Sequence, residues 1–181
     1  MLQRDRHFSL RPPGRRKVRD GVPAPSMLES FHAKLATPFA VLGIRTSGEL
    51  LTGIEYLPRG VATLAPVNRL AARVCRQLEH YFDDPEFKFD LPYEFNGTVF
   101  QQRVWRAICA IPSGDTLTYL DIARQLKSAP RPVGGACGAN RIPLVIPCHR
   151  VVASHGIGGF MNARGGAPIA IKQWLLRHES A

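Results

Sequence analysis

Ile142-Pro143-Leu144-Val145-Ile146-Pro147-Cys148-His149-Arg150-Val151-Val152 is the stretch around which the chain is organised. Leu144 to Ile146 is an apolar run of the length of a buried strand segment. Pro147 ends it, because proline has no amide hydrogen to donate and fixes its own φ. A thiol, an imidazole and a guanidinium come next, and two valines return the chain to the interior. A nucleophile, a base and a cation on a buried frame predict chemistry at this point. Adjacent side chains of an extended segment point to opposite faces. His149 can therefore serve Cys148 only if the chain turns here or a water carries the proton. A histidine in that role needs an acceptor on its other nitrogen, and Asp90, Asp115, Asp121 and Glu179 are the candidate acids.

The flanks place this stretch in an α+β chain. Upstream, Thr118-x-x-Asp121 has the form of a capping box, with Asp in the usual Glu/Gln place. Tyr119, Ile122, Ala123 and Leu126 then follow at helical spacing. A second short helix is expected from Ser128 through Asn140. Its prolines, Pro130 and Pro132, are tolerated in the first turn. Gly134, Gly135 and Gly138 each cost about 1 kcal/mol relative to alanine in a helix interior, a cost accepted where another backbone comes close. Two short helices so joined predict a helix-turn-helix. The second, small-faced and led by Arg131, suits a nucleic-acid groove, while close packing inside the protein is the competing use of the glycines. Before this pair, Phe100, Val104, Trp105, Ile108 and Cys109 form one helical stripe, with Cys109 expected in the core. After the Cys-His-Arg stretch, Gly156 to Phe160 reads as a glycine-rich loop with Phe160 as an exposed aromatic. A final helix is expected from about Pro168, with Ile171, Trp174, Leu175 and His178 on one side.

The first half reads as a small α+β unit. Phe39 to Tyr56 predicts a hairpin about Ser47-Gly48. Asn68 caps a helix through Phe82 with Leu70, Val74, Leu78, Tyr81 and Phe82 on one face, which Cys75 joins. Phe87, Phe89 and Leu91 alternate with Glu86, Lys88 and Asp90 as in a half-buried strand. Domains are therefore expected at 27–95, α+β, and at 96–181, mainly helical. Residues 1–26 read as a disordered basic tail.

The 181 residues carry a net charge of +10, which attracts polyanions, nucleic acid above all. The tail, with seven Lys/Arg and two acids, accounts for +5 of it. No apolar run approaches a membrane span, and Met1 to Gly21 has no secretory core. Cys75, Cys109, Cys137 and Cys148 are spread without a C-x-x-C pair, which predicts reduced thiols and a cytoplasmic protein. Cys148 and His149 lack ligand-spaced partners for zinc, so neither metal nor cofactor is expected.

Pro147-Cys148-His149-Arg150-Val151 resembles the active-site signature of the O6-alkylguanine-DNA alkyltransferases, the methylated-DNA–protein-cysteine methyltransferases. The resemblance runs from Gly97 to Glu179. It includes Phe100-Gln101-x-x-Val104-Trp105, Tyr119, Arg131-x-Val133-Gly134-Gly135-Ala136, Asn140 and Lys172-x-Trp174-Leu175-Leu176-x-His178-Glu179. It implies an RNase H-like N-terminal domain ahead of the helix-turn-helix domain. It implies Cys148 as acceptor of a methyl or other alkyl group from O6 of guanine, possibly O4 of thymine, in double-stranded DNA, once per molecule. It implies His149 acting through a water, Glu179 orienting it, Tyr119 serving the target phosphate or guanine N3, and Asn140 pinning the recognition helix. Arg131 would fill the space of the extruded base, and Val133, Gly134, Gly135 and Ala136 would lie in the minor groove. Val151, Phe160 and Lys172 would belong to the substrate pocket, and the protein would act as a monomer. The chain departs from the pattern at Pro132, where a small residue is expected, and at Phe160, which lacks the hydroxyl of the usual tyrosine. It also has a longer Met161 to Ala167 segment. A helix-turn-helix lesion binder without chemistry and a thiol hydrolase are the competing readings. The present Cys148 counts against the first, the small-faced Arg131 helix against the second.

Overall fold

Apolar residues on either side of Ser47-Gly48 build the first element pair. β2 (Val41–Ser47) and β3 (Leu50–Leu57) pair antiparallel, from Val41 opposite Leu57 to Ser47 opposite Leu50, and Gly48 takes the positive φ of 54° that the tight turn requires. A short strand that the sequence pattern did not mark, β1 (Ala33–Ala36), adds to β2, giving an antiparallel sheet of order β1-β2-β3. The computed structural model describes residues 30–180. The basic tail expected at 1–26 lies outside the described residues.

α1 (Arg69–Asp83) covers the sheet with Leu70, Ala71, Val74, Cys75, Leu78 and Tyr81 buried. Asn68 caps it as expected: its Oδ1 accepts from the Ala71 amide at 2.8 Å, and its Nδ2 donates to Thr46 Oγ1 at 3.0 Å, fixing the helix start to β2. The strand expected at Glu86 to Leu91 does not form. The alternation is real, since Phe87, Phe89 and Leu91 turn inward and Glu86, Lys88 and Asp90 outward. The Gln77 side chain, however, takes both backbone groups of Asp90, at 2.9 and 2.8 Å. A side chain from α1 thus occupies groups that a neighbouring strand would have paired with.

The second half is mainly helical: α2 (Val99–Cys109), α3 (Tyr119–Gln125), α4 (Pro130–Gly138) and α5 (Gly166–Glu179). Capping boxes close the starts of α2 (Thr98 with Gln101) and α3 (Thr118 with Asp121). The indole of Trp105 donates to the Ala136 carbonyl at 2.9 Å, binding α2 to α4. A two-stranded parallel ladder joins β4 (Leu117–Thr118) to β5 (Val151–Val152). The strand expected at Leu144 to Ile146 is instead a tight turn. Leu144 has φ 74°, and the Ile146 amide donates back to the Ile142 carbonyl at 2.9 Å. Proline at 143 and again at 147 removes the amides a ladder would use, so the apolar run is buried as a turn.

Both halves share one buried cluster. Across it the Ile54 amide donates to the Arg141 carbonyl at 2.9 Å, and Ser113 Oγ to the Pro85 carbonyl at 2.6 Å. Trp174 of α5 packs against Phe39 and Phe82 at 4.7 and 6.1 Å between ring centroids.

Candidate active site

Pro147 does more than stop the chain; it starts a single 3-10 turn, Cys148–Arg150. The Arg150 amide donates to the Pro147 carbonyl at 2.9 Å, and β5 follows directly. Three residues per turn separate consecutive side chains by about 120° instead of placing them on opposite faces. The chain therefore turns at Cys148 and His149 and does not run extended, and among the described residues no direct hydrogen bond joins the thiol to the imidazole Nδ1.

Each member of the triplet meets its own partners. Asn140, just past α4, donates from Nδ2 to Cys148 Sγ at 3.2 Å and to the Ile146 carbonyl at 2.8 Å, while its Oδ1 accepts from the Ile142 amide at 2.9 Å. One side chain thus ties the end of α4, the turn and the thiol together. His149 is buried, and its Nε2 lies 2.8 Å from Glu179 Oε1 at the end of α5. Of the four candidate acids, Glu179 is the one that meets the imidazole. Arg150 grips the same carboxylate, Nε to Oε2 at 2.9 Å and Nη2 to Oε1 at 2.8 Å, and also donates from Nη1 to the Ile111 carbonyl at 2.6 Å. Tyr81 of α1 adds a fourth hydrogen bond, to Glu179 Oε1 at 2.7 Å.

Protonation states follow from this network. Burial alone would raise the pKa of Glu179, but hydrogen bonds from His149, Arg150 and Tyr81 outweigh it and hold the carboxyl at about 2. Burial pushes His149 below its ordinary value, against the pull of Glu179, so the imidazole is neutral at pH 7. A carboxylate can only accept, so the single ring proton sits on Nε2. Nδ1 is therefore a bare, buried lone pair with no partner among the described residues, the form a general base takes. Burial raises the pKa of Cys148, and the Asn140 hydrogen bond and the charge of Lys172 lower it.

Lys172 is fully buried in α5, where burial brings its ammonium down to about 8. Its Nζ donates to the Val151 carbonyl at 2.6 Å and the Gly159 carbonyl at 2.9 Å. Tyr119 donates its hydroxyl to the same Gly159 carbonyl at 3.1 Å, and burial pushes that phenol up to about 12. Lys172 and Tyr119 thus fix the glycine loop beside Val151, which is itself wholly buried. Phe160, expected exposed, is buried with its ring edge against Tyr56, centroids 5.9 Å apart. A cavity of about 570 Å³ between residues 86–93 and 109–113 reaches Pro147 and Arg150, but Cys148 does not line it.

On α4, Arg131, Pro132 and Gly135 face solvent and Gly134 is half-buried. Val133 and Ala136, expected at a DNA surface, have buried side chains that hold the helix to the core; only their backbones remain available to a ligand. The glycines divide between the two expected uses. Nothing lies within 4 Å of a Cβ added at Gly135, whereas one at Gly138 would collide with the side-chain amide of Asn162. Gly138 serves internal packing, and Gly134 and Gly135 keep an outer surface small. Cys109, expected in the core, is exposed, its Sγ 3.9 Å from the Tyr93 hydroxyl; it is the last residue of α2, and the buried face there is carried by the adjacent Ile108. Burial pushes Cys75 up to about 11 and Cys137 up to about 12. Among the described residues no group of His, Cys, Asp and Glu could hold a metal ion, and no helix is long and apolar enough to cross a membrane.

Sequence reasoning missed Arg150 as a clamp on Glu179 and read Tyr81 as core alone. The signal for Tyr81 was present: a buried tyrosine on an apolar helix face must place its hydroxyl on a partner.

Residues 99–181 match the DNA-binding domain of 6-O-methylguanine DNA methyltransferase. The chain is 34% identical over 172 residues to a methylated-DNA–protein-cysteine methyltransferase of Salmonella typhimurium, covering 84% of this chain and 97% of that protein. It is 42% identical over 93 residues to the regulatory protein ada of the same organism, covering half of this chain but only 26% of that longer protein. Its fold resembles the crystal structure of Mycobacterium tuberculosis OGT in complex with DNA, with a TM-score of 0.69 and 35% identity over 81% of this chain and 91% of that one.

Proposed function

The chain belongs to the methylated-DNA–protein-cysteine methyltransferase family, and from that premise we propose that it repairs DNA by moving an alkyl group from O6 of guanine onto Cys148. The observation that carries this reading is a buried thiol held by Asn140 at 3.2 Å, next to an imidazole that Glu179 fixes at 2.8 Å with its other nitrogen bare.

The thiol proton passes to His149 Nδ1 through a water. Cys148 Sγ forms a bond to the alkyl carbon as the carbon–O6 bond breaks, and the electron pair of that bond is withdrawn into the guanine ring. The base takes up one proton in exchange, with Tyr119, kept a neutral phenol by burial, as its donor at N3. Asn140 stabilises the sulfur as charge develops, and Lys172 holds the Val151 and Gly159 carbonyls that frame the guanine edge and the Phe160 wall. In-line attack from a fixed thiol obtains much of its rate from proximity. The product is a thioether, which water does not cleave, so each molecule acts once.

The substrate is a duplex carrying alkylated guanine. Its O6 lies in the base stack, and a thiol reaches it only when the nucleotide is flipped out. α3 and α4 act as a helix-turn-helix, with the small Gly134–Gly135 face in the minor groove and Arg131 filling the place of the flipped base. Residues 30–95 form an RNase H-like α+β domain that braces the site through Tyr81, and residues 96–180 the reactive domain. The protein works as a cytoplasmic monomer.

The test is stoichiometry. With excess duplex containing labelled O6-methylguanine, transfer should stop at one methyl per protein. Sustained turnover would identify a thiol hydrolase, and binding without transfer a lesion-binding protein.

A further inference from the structure

The segment from Met161 to Ala167, longer here than in the pattern the chain resembles, opens as a tight turn. Phe160 and Ala163 exchange both backbone hydrogen bonds, each at 2.9 Å. Met161 and Asn162 between them take φ of 51° and 60°. That left-handed region suits asparagine and is uncommon for methionine. Both side chains are exposed, so burial holds neither of them in this shape.

The turn is held by its neighbours instead. On one side the Gly159 carbonyl accepts from Lys172 and Tyr119, at 2.9 and 3.1 Å. The buried Phe160 ring rests on Tyr56. On the other side Asn162 Nδ2 donates to the Gly138 carbonyl at 3.2 Å. Gly138 is the last residue of α4, where helix carbonyls lack partners of their own. Only glycine leaves room for this contact, because a Cβ at position 138 would run into the Asn162 amide. An exposed amide can bond to water equally well, so the contact adds little to folding stability. Its consequence is placement. Two residues beyond Gly138, Asn140 holds the Cys148 thiol. The end of the helix assigned to the duplex therefore fixes the thiol through one asparagine and the Phe160 turn through another.

We propose that Asn162 is a positioning residue: by tying the Phe160 turn to the end of α4, it sets how closely the Phe160 wall stands to a base in the pocket. The proposal rests on the reading of Cys148 as the alkyl acceptor and of Phe160 as a wall of its pocket.

Two variants break the contact from opposite sides. Asn162→Gly removes the amide and leaves the positive φ open to the backbone. Gly138→Ala keeps the amide and displaces it. Free O6-methylguanine, labelled in its methyl group and in excess over protein, is the probe. The rate of label uptake against base concentration gives a half-saturating concentration and a limiting rate. Each variant should raise the half-saturating concentration roughly fivefold, the scale of one neutral hydrogen bond. The limiting rate should not change, since Cys148, Asn140, His149 and Glu179 are untouched. In the double variant the alanine has no amide to displace, so its half-saturating concentration should equal that of Asn162→Gly alone. An unmoved half-saturating concentration in Asn162→Gly, a lowered limiting rate, or an alanine effect that persists without Asn162 would each overturn the proposal. If wild-type protein takes the label on Cys148 and Asn162→Gly saturates as wild type does, this assignment alone fails. If neither the free base nor a duplex labels Cys148 in wild-type protein, the functional reading beneath it fails.

Discussion

Glu179→Gln keeps the shape of the side chain and removes its charge. The carboxylate accepts four hydrogen bonds, from Tyr81, His149 and Arg150 twice. An amide fails in either orientation. With its nitrogen at Oε2 it faces Arg150 Nε, and at Oε1 it faces three donors at once. The glutamate side chain is 1% exposed and that of Arg150 13%, so the guanidinium is left nearly buried without its counter-charge. Breaking a buried pair from one side costs about 3–5 kcal/mol, a large share of the ~5–15 kcal/mol that holds a domain folded. With a urea slope of about 2 kcal/mol per M, the midpoint should drop by roughly 1.5–2.5 M. Adding Arg150→Met should recover part of the loss, because the stranded charge is then gone. The pH dependence has a definite sign. The folded carboxyl titrates at about 2 against an ordinary 4.5, so on acidification the unfolded chain takes the proton first. The stabilisation is complete above pH 4.5 and lost as the pH falls towards 2; the Gln variant should lack that step. A midpoint shift worth less than about 1 kcal/mol, or an unchanged acid limb, would mean that the buried carboxylate does not carry this stabilisation.

Other perturbations separate the surface from the reaction centre. Gly135→Ala adds a methyl group into open space. It should stabilise the free protein by about 0.5–1 kcal/mol and weaken binding to duplex DNA, as titration calorimetry can measure. A gain in stability with unchanged duplex affinity would place the groove elsewhere. Arg131→Ala should slow repair in a duplex by roughly tenfold or more while leaving reaction with a free alkylated base nearly unchanged, because only the duplex pays the few-kcal/mol cost of extruding a base. Equal slowing on both, in single-turnover assays, would remove Arg131 from that role.

Local signals in the chain were legible where one element decides the outcome. The Asn68 cap, the turn at Ser47-Gly48 and the Thr118–Asp121 capping box depend on residues a few positions apart, and each forms as its pattern predicts. Glu86 to Leu91 shows where such reading ends. Period-two burial says which side chains turn inward, not whether a neighbouring strand is there to pair, and Gln77 of α1 takes the backbone groups instead. Leu144 to Ile146 shows the same limit, since buried turns and buried strands share one composition. The Cys148-His149-Arg150 triplet stood out at once. That Glu179 closes it from 30 residues away, and Tyr81 from 98 residues before Glu179, depends on how α1 and α5 pack, which no spacing encodes. Exposure was misjudged at Cys109 and Phe160 for a related reason. A helix end or a glycine loop takes its burial from whatever the fold brings against it.

One thiol of four is expected to accept the alkyl group. Cys75 and Cys137 are held protonated by burial at about 11 and 12. Cys109 is exposed, with Tyr93 as its neighbour and no imidazole among its partners. Cys148 alone has the Asn140 donor and adjoins a base fixed by Glu179. The protein should be incubated with a duplex carrying O6-methylguanine, digested, and the added methyl located by tandem mass spectrometry. The expected result is a single modification, on the peptide containing Cys148, rising to one per molecule and no further. Methyl on Cys137 or Cys109, or an unmodified Cys148 in protein that has cleared the lesion, would contradict it.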